Sequence, residues 1–252
     1  MNKISIIIPV LNEANNIQNL LKHLLKNSSK KNIDDIIIVD GGSTDGTQEI
    51  IELFLSSDEI VLDTKFSKEN FTRTDIKLIH SKKGRAVQMN LGAKNATGTI
   101  LYFLHADSFP PENFDKLIIN EVKKENNAGC FRMKFNSNHF WLKLAGQLTR
   151  LPWKSCRGGD QSQFITKQLF NNIGGFDERF KIYEDNDLIS KLYAVNEFVV
   201  IPDWLTTSAR CYNTNGVWRL QFHYWTIHLK KWFGASAEDL NQYYLKYVSV
   251  KK

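Results

Sequence analysis

Residues Ile36–Thr47 read IIIVDGGSTDGT. Four apolar residues run into a carboxylate, a glycine pair and then small hydroxyl and acidic residues, and a helical run follows. This is a strand that stops, turns and feeds a helix, the repeating unit of α/β folds. Glycines at such a turn let backbone N–H groups approach an anion at a helix N-terminus, so the stretch first reads as a phosphate loop. It lacks the lysine of a P-loop and the spacing of a dinucleotide fingerprint, so its neighbours must decide.

Upstream, Ile4–Val10 is a short apolar run that suits a strand buried on both faces. Asn12 is expected to cap the next helix, with Glu13 in its first turn. Ile17, Leu20, Leu21, Leu24 and Leu25 then share one helical face. Together with the strand at Ile36, this makes a right-handed crossover unit. Downstream, Ser43 or Thr44 is the expected cap of a helix carrying Ile50, Ile51, Phe54 and Leu55. Ile60–Leu62 and Ile76–His80 read as strands, separated by a polar insertion at residues 63–75. A helix opens around Lys82–Arg85 and runs to Asn95. Residues 99–104 form a buried strand ending at His105-Ala106-Asp107, and Pro110-Pro111 starts another helix. The alternation predicts an α/β fold with a central, mostly parallel twisted sheet flanked by helices.

The second half changes character. A strand is expected at 130–135 and a helix at 139–151. Arg157-Gly158-Gly159-Asp160-Gln161 reads as a turn before a strand at 162–165. Glu184-Asp185-Asn186-Asp187 is an acidic helix start. Strands follow at 199–201 and 205–212, then aromatic helices at 217–233 and 237–248. No repeat or low-complexity linker interrupts the chain, so residues 1–252 read as a single domain. Its parts are an alternating half (1–110), a second half (111–215) and an aromatic tail (216–252).

The chain has 252 residues, 42% hydrophobic and 24% charged, with a formal net charge of +6. That is ordinary for a globular protein. The mild positive excess suits an anionic ligand or a membrane surface, and solvated lysines explain it equally well. No basic stripe interleaved with aromatics precedes the tail, so nucleic acid is not an expected partner. The three cysteines form no CxxC pair and read as reduced thiols, which points to the cytoplasm. The N-terminal apolar run is too short for a signal peptide, and no segment approaches membrane-spanning length.

In an open α/β sheet, ligands collect beyond the carboxyl ends of the strands. Strand one brings Pro9, Leu11 and Glu13 there, strand two brings Asp40 and Gly41, and the later strand brings His105, Ala106 and Asp107. Asp40 could accept hydrogen bonds from a base or ribose, and Asp107 could bind a divalent cation. Taken singly, an Asp after a strand is more simply a turn or helix cap. Lys83, Gly84 and Arg85 offer charge and backbone donors to a phosphate, or simply form a solvated helix face. The histidines suggest no zinc site: His223 and His228 are five residues apart, the wrong spacing for one helical face.

The segments IIIPVLNE, VDGGSTDGT, GRAVQMNLGAKNATG, FLHAD, GGDQ, IGGFDE and YEDNDL occur in this order. With them the chain resembles a family 2 glycosyltransferase of the GT-A fold, a Rossmann-like nucleotide-diphospho-sugar transferase, over residues 3 to about 210. Within that family it is most similar to a bacterial subgroup with HAD in place of DxD, sometimes labelled for arsenosugar biosynthesis. The resemblance implies inverting transfer of a hexosyl-type unit from a nucleotide-sugar, most often a UDP-sugar, with Mg²⁺ or Mn²⁺ as cofactor. It places Pro9, Leu11 and Glu13 against the nucleoside and Asp40 at the base or ribose. Asp107 matches the metal-binding end of DxD, and Asp185 the catalytic aspartate of the ED pair with Glu184. His105 is a departure, standing where the family usually has the first Asp.

Asp185 is thus the expected general base, and the crowding of Glu184, Asp185 and Asp187 should raise one pKa. Without the other motifs, the same acids read as complements of a helix dipole. Gly159, Asp160 and Gln161 are expected on the acceptor side. The acceptor is a small molecule, a glycan or a lipid-linked sugar. The tail has three readings: a helix covering the acceptor pocket, a homodimer face, or an amphipathic helix on the inner face of the membrane. The covering helix or the dimer face is preferred over the membrane helix, because the tail's apolar residues look spread around the helix. The alternatives in function are a nucleotidyltransferase and a catalytically silent nucleotide-sugar binding module.

Overall fold

In the computed structural model, which describes residues 2–56 and 75–249, Ile4–Val10 (β1) and Ile33–Asp40 (β2) pair in parallel across the helix Ile17–Asn27 (α1). The register sets Val10 opposite Asp40, so both strands end at one level. Among the described residues the sheet has eight strands. The others are Ile76–His80 (β3), Ile100–Phe103 (β4), Ser108–Phe109 (β5), Ala128–Phe135 (β6), Gln163–Thr166 (β7) and Val199–Thr207 (β8), in the order β3-β2-β1-β4-β7-β6-β8-β5. The β3-β2-β1-β4 half is parallel, as the alternating sequence predicts. Beyond β4 the sheet turns mixed, with β7 antiparallel to β4 and β6 but β6 parallel to β8.

Alternation along β1 feeds two cores. Ile4, Ile6 and Ile8 pack with Leu20, Leu24 and Phe114 on one face. Ile7 packs on the other with Met89, Phe170 and Leu188. Both faces are therefore covered, which explains why β1 and β2 read as continuous apolar runs. Cys130, Cys156 and Cys211 are all free thiols.

Several local expectations fail. Asn12 caps no helix: it sits at φ 58, and α1 starts only at Ile17. Its amide donates to Ser43 Oγ (2.9 Å) and its side chain accepts from Thr44 N (2.9 Å). It joins two loops instead, as Asn side chains often do in competition with helix starts. Likewise neither Ser43 nor Thr44 caps the helix Thr47–Ser56 (α2). Asp45 Oδ1 takes the Thr47 amide there, while the Ser43 hydroxyl is spent on Asp40. The helix Phe114–Lys123 begins after Pro110-Pro111, because Asn113 adopts a left-handed conformation. Residues 199–207 form one strand, and the expected strand 205–212 gives way to the helix Arg210–Asn215. The expected strand Ile60–Leu62 and all of the expected 63–75 insertion but Asp75 lie outside the described residues.

The tail helix is apolar on two sides, in keeping with the spread its sequence shows. In the helix Val217–Trp232, Leu220 and Ile227 are buried, while Trp218, Phe222, Trp225, Leu229 and Trp232 are exposed. The exposed five recur at alternating spacings of four and three residues, so they form one stripe, and the buried pair lies on the opposite side of the helix.

Candidate active site

The carboxyl ends of β1 and β4, the loop before β7 and the start of the helix Glu184–Ala194 enclose a cleft of about 760 Å³. Of the residues expected at the site, Pro9, Leu11, Glu13, Lys83, Gly84, Arg85, His105, Ala106, Asp107, Gly159, Asp160, Glu184 and Asp185 line it. Asp40, Gly41 and Gln161 do not.

Asp40 is fully buried, and its carboxylate is committed to its own turn. It accepts from Gly42 N (2.9 Å), Gln48 Nε2 (2.7 Å) and the Ser43 hydroxyl (2.5 Å). Burial pushes its pKa up, but these hydrogen bonds outweigh burial and hold the carboxyl below its usual value. Gln161 is buried too, donating to Phe131 O and accepting from Gly158 N. Gly41 packs against Gln88, whose side chain donates to Val10 O (2.8 Å) and Val39 O (2.7 Å). Gln88 thereby ties the ends of β1 and β2, a role that no motif signals.

On one wall, Arg210 Nη2 donates to Glu13 Oε1 (2.7 Å) and stands 3.8 Å from Asp107 Oδ2. Burial raises the Asp107 pKa, the His105 charge opposes the rise, and Asp160 and Glu13 reinforce it. Arg210 opposes the rise as well, so burial is the main cost to the Asp107 carboxylate, and a divalent cation beside it would favour its charged form. Among the described residues no three His, Cys, Asp or Glu side chains form a metal cage. The donor set fits an ion held by one carboxylate together with a diphosphate, a usual arrangement for Mg²⁺.

On the other wall, His105 bridges two acids. Its Nδ1 lies 3.5 Å from Asp160 Oδ1 and its Nε2 lies 3.7 Å from Asp185 Oδ2. Burial and the Arg85 charge depress the imidazole pKa, yet Asp160 and Asp185 raise it on balance. Arg85 Nη1 donates to Glu184 Oε1 (2.8 Å) and lies 3.6 Å from Asp185 Oδ2. Glu184 is buried and its Oε2 has no partner. One pKa of the acidic helix start is raised, that of Glu184, but burial and not crowding is the main cause. Burial raises it first, Arg85 opposes and Asp185 adds to the rise. Asp185 is buried, and the backbone of Gly159 abuts its carboxylate. The Gly-Gly-Asp-Gln loop rests on Arg157, which is buried and donates to Thr149 O and Leu151 O.

The tail does cover the cleft, as one of the preferred readings of the sequence expects, but the individual side chains of this roof are not among the expected site residues. Tyr183, Tyr212, Gln221, Tyr224, Trp225, His228 and Tyr244 all line it, along with Arg210. Their composition carries no motif: Tyr183, Arg210 and Tyr212 come from short segments before the tail, and Gln221, Tyr224, Trp225, His228 and Tyr244 from the tail folded over the cleft.

The model of the family described as "Glycosyl transferase family 2" matches residues 5–184. A Methanococcus voltae enzyme named dolichyl N-acetyl-alpha-D-glucosaminyl phosphate 3-beta-D-2,3-diacetamido-2,3-dideoxy-beta-D-glucuronosyltransferase is 26% identical over 238 residues, 79% of this chain and 70% of that one. A mannosyltransferase of Pyrobaculum calidifontis, solved with GDP-Man and Mn²⁺, superposes with a TM-score of 0.64. It is 17% identical, covering 97% of this chain and 70% of that one. A 1–349 segment of S. aureus TarS solved with UDP-GlcNAc gives 0.62 at 18% identity, covering 82% and 58%. These neighbours share the GT-A-like fold. The matched share of the curated relatives' own lengths runs from 15% to 70%.

Proposed function

The chain belongs to glycosyl transferase family 2, and from that premise we propose that the cleft transfers a sugar from a nucleotide-diphosphate sugar to an acceptor hydroxyl with inversion at the anomeric carbon. The observation that carries this reading is Asp185, a buried carboxylate facing the cleft between Arg85 and His105. Asp185 takes the acceptor proton, and the freed oxygen attacks the anomeric carbon from the face opposite the nucleotide. The bond from that carbon to the diphosphate oxygen breaks, and the electron pair leaves with the nucleoside diphosphate. Arg85 and His105 hold the Asp185 carboxylate in place and limit its rotation.

Pro9, Leu11 and Glu13 bind the nucleoside side, and UDP is the nucleotide we assign. The UDP-GlcNAc complex of a structural neighbour supports that choice. Asp40 acts as a positioning residue for the 40–48 turn and does not contact the base. Lys83 lines the cleft and has no ion-pair partner among the described residues, so it faces the diphosphate. Arg85 is already held by Glu184. A Mg²⁺ or Mn²⁺ ion at Asp107 would supply Lewis-acid stabilisation of the leaving diphosphate. Mn²⁺ in a neighbour's complex supports this assignment.

Gly159, Asp160 and the tail roof form the acceptor side, and we assign a lipid-linked acceptor reached from the cytoplasmic face of a membrane. The dolichyl phosphate in the name of the Methanococcus relative supports that class. The HAD segment with His105 supports placement in the arsenosugar-labelled branch.

Asp185→Asn tests the reading. It should keep donor affinity by calorimetry and abolish nucleoside diphosphate release. Undiminished turnover would remove Asp185 as base, and unchanged donor binding with no turnover in the wild type would leave only a binding module.

A further inference from the structure

We propose that the outer face of the tail helix and the neighbouring helix Phe140–Leu148 docks on the surface of an anionic lipid bilayer, with the cleft mouth at its edge. On the tail helix, Trp218, Phe222, Trp225, Leu229, Trp232 and the following Phe233 are exposed, the last two at 79% each. On the neighbouring helix, Phe140, Leu144 and Leu148 recur every four residues and are exposed too, Phe140 at 75%. The two stripes meet through Trp141, whose ring lies 5.3 Å from Trp218 and 5.7 Å from Trp225 and whose Nε1 donates to Gln221. An apolar surface of this extent marks an interaction site.

Charge identifies the occupant. The chain has 27 Asp and Glu residues, yet none falls within residues 126–159 or 204–237, the two segments that build this face. The same segments carry Lys143, Arg150 and Lys154, while Arg219, Lys230 and Lys231 turn toward Tyr247, Tyr243 and Phe180 of the protein itself. No ion pair is formed by any of the first three among the described residues. A second copy of this face would meet it cation to cation and be repelled. An anionic headgroup layer complements it, with aromatic rings at the headgroup level and lysine stems reaching outward. No described helix is long and apolar enough to cross a membrane, so the contact is interfacial. Trp225 belongs both to the stripe and to the cleft lining, so the docked face runs directly into the roof of the site.

This inference deepens the proposed lipid-linked acceptor and rests on that reading only for its purpose. Vesicle binding is measured without donor or acceptor, so its failure is distinguishable from failure of the transfer reaction. The purified protein is sedimented with phosphatidylcholine vesicles and with phosphatidylcholine–phosphatidylglycerol vesicles. Binding to the mixed vesicles should exceed binding to the neutral ones by about tenfold or more and should weaken with salt. Trp232→Ala with Phe233→Ala, and separately Lys143→Glu with Lys154→Glu, should each lower it by about tenfold or more. None of these four lines the cleft, so donor affinity should not change, which also shows that the variants are folded. Absence of vesicle binding, or equal binding by the variants, overturns the proposal. So does a wild-type dimer that becomes a monomer on the aromatic double substitution, which would make the face a homodimer interface.

Discussion

Gly159 abuts Asp185 so closely that a Cβ built on the glycine would overlap the carboxylate. The loop of the Gly-Gly-Asp-Gln segment and the start of the acidic helix therefore fit together only because residue 159 has no side chain. Gly159→Ala should push the carboxylate away from the acceptor position. A displacement of about 1 Å at a reacting group costs on the order of 10²-fold in rate. Steady-state kinetics should show that loss in kcat with donor affinity retained, and an unchanged kcat would mean that Asp185 does not act from this position.

Arg85 is the partner of Glu184, whose second carboxylate oxygen is already unpaired. Arg85→Ala would strand the buried acid. Loss of a hydrogen bond to a charged group costs roughly 1.5–3 kcal/mol. A fall in Tm should therefore be measurable by calorimetry, and it should be smaller in the Arg85→Ala, Glu184→Gln double variant, which buries no unpaired charge. Equal losses would show that the pair contributes nothing as a pair.

Cys130 offers a pH signature independent of catalysis. Burial pushes its thiol from 9.0 to about 11, although Arg157 opposes the rise. A group whose folded pKa is raised stabilises fully below the unfolded value and loses that contribution as pH rises through the folded one. Stability from this thiol should thus be intact below pH 9.0 and decay toward about 11. Cys130→Ala should flatten the fall in Tm across that window. Iodoacetamide at mildly alkaline pH should label exposed Cys211 and spare Cys130 in the native protein.

For the divalent ion, removal is the test. Asp107→Ala, or a chelator, should weaken donor binding by about tenfold or more, equivalent to about 1.4 kcal/mol. Titration calorimetry with UDP-sugars reads this directly. Affinity that ignores both treatments would assign the leaving diphosphate to side-chain cations alone.

Much of this was legible in the sequence because it is local. The apolar runs of β1 and β2 signal strands buried on both faces, and the glycine pair after Asp40 signals where one strand stops. The order of short motifs names the family, and nearly every residue drawn from them lines the cleft. Asp40 is the instructive exception. Its carboxylate stands at a strand end as expected, but the three donors that surround it come from its own turn and the next helix. Whether a carboxylate faces a ligand or its own backbone is a matter of side-chain direction, which spacing does not encode.

The sequence by itself determined the parallel half of the sheet, the family and the two acids at the helix start. Tertiary structure alone decided that Glu184 bears a raised pKa, because burial outweighs its contact with Arg85. It also decided that Arg210 meets Glu13 across nearly the whole chain, and that the tail carries two apolar faces. Leu220 and Ile227 turn inward and the aromatic stripe outward. A helix apolar on opposite sides has no preferred face until something packs on one of them, and here Phe180 and Leu240 pack on Ile227.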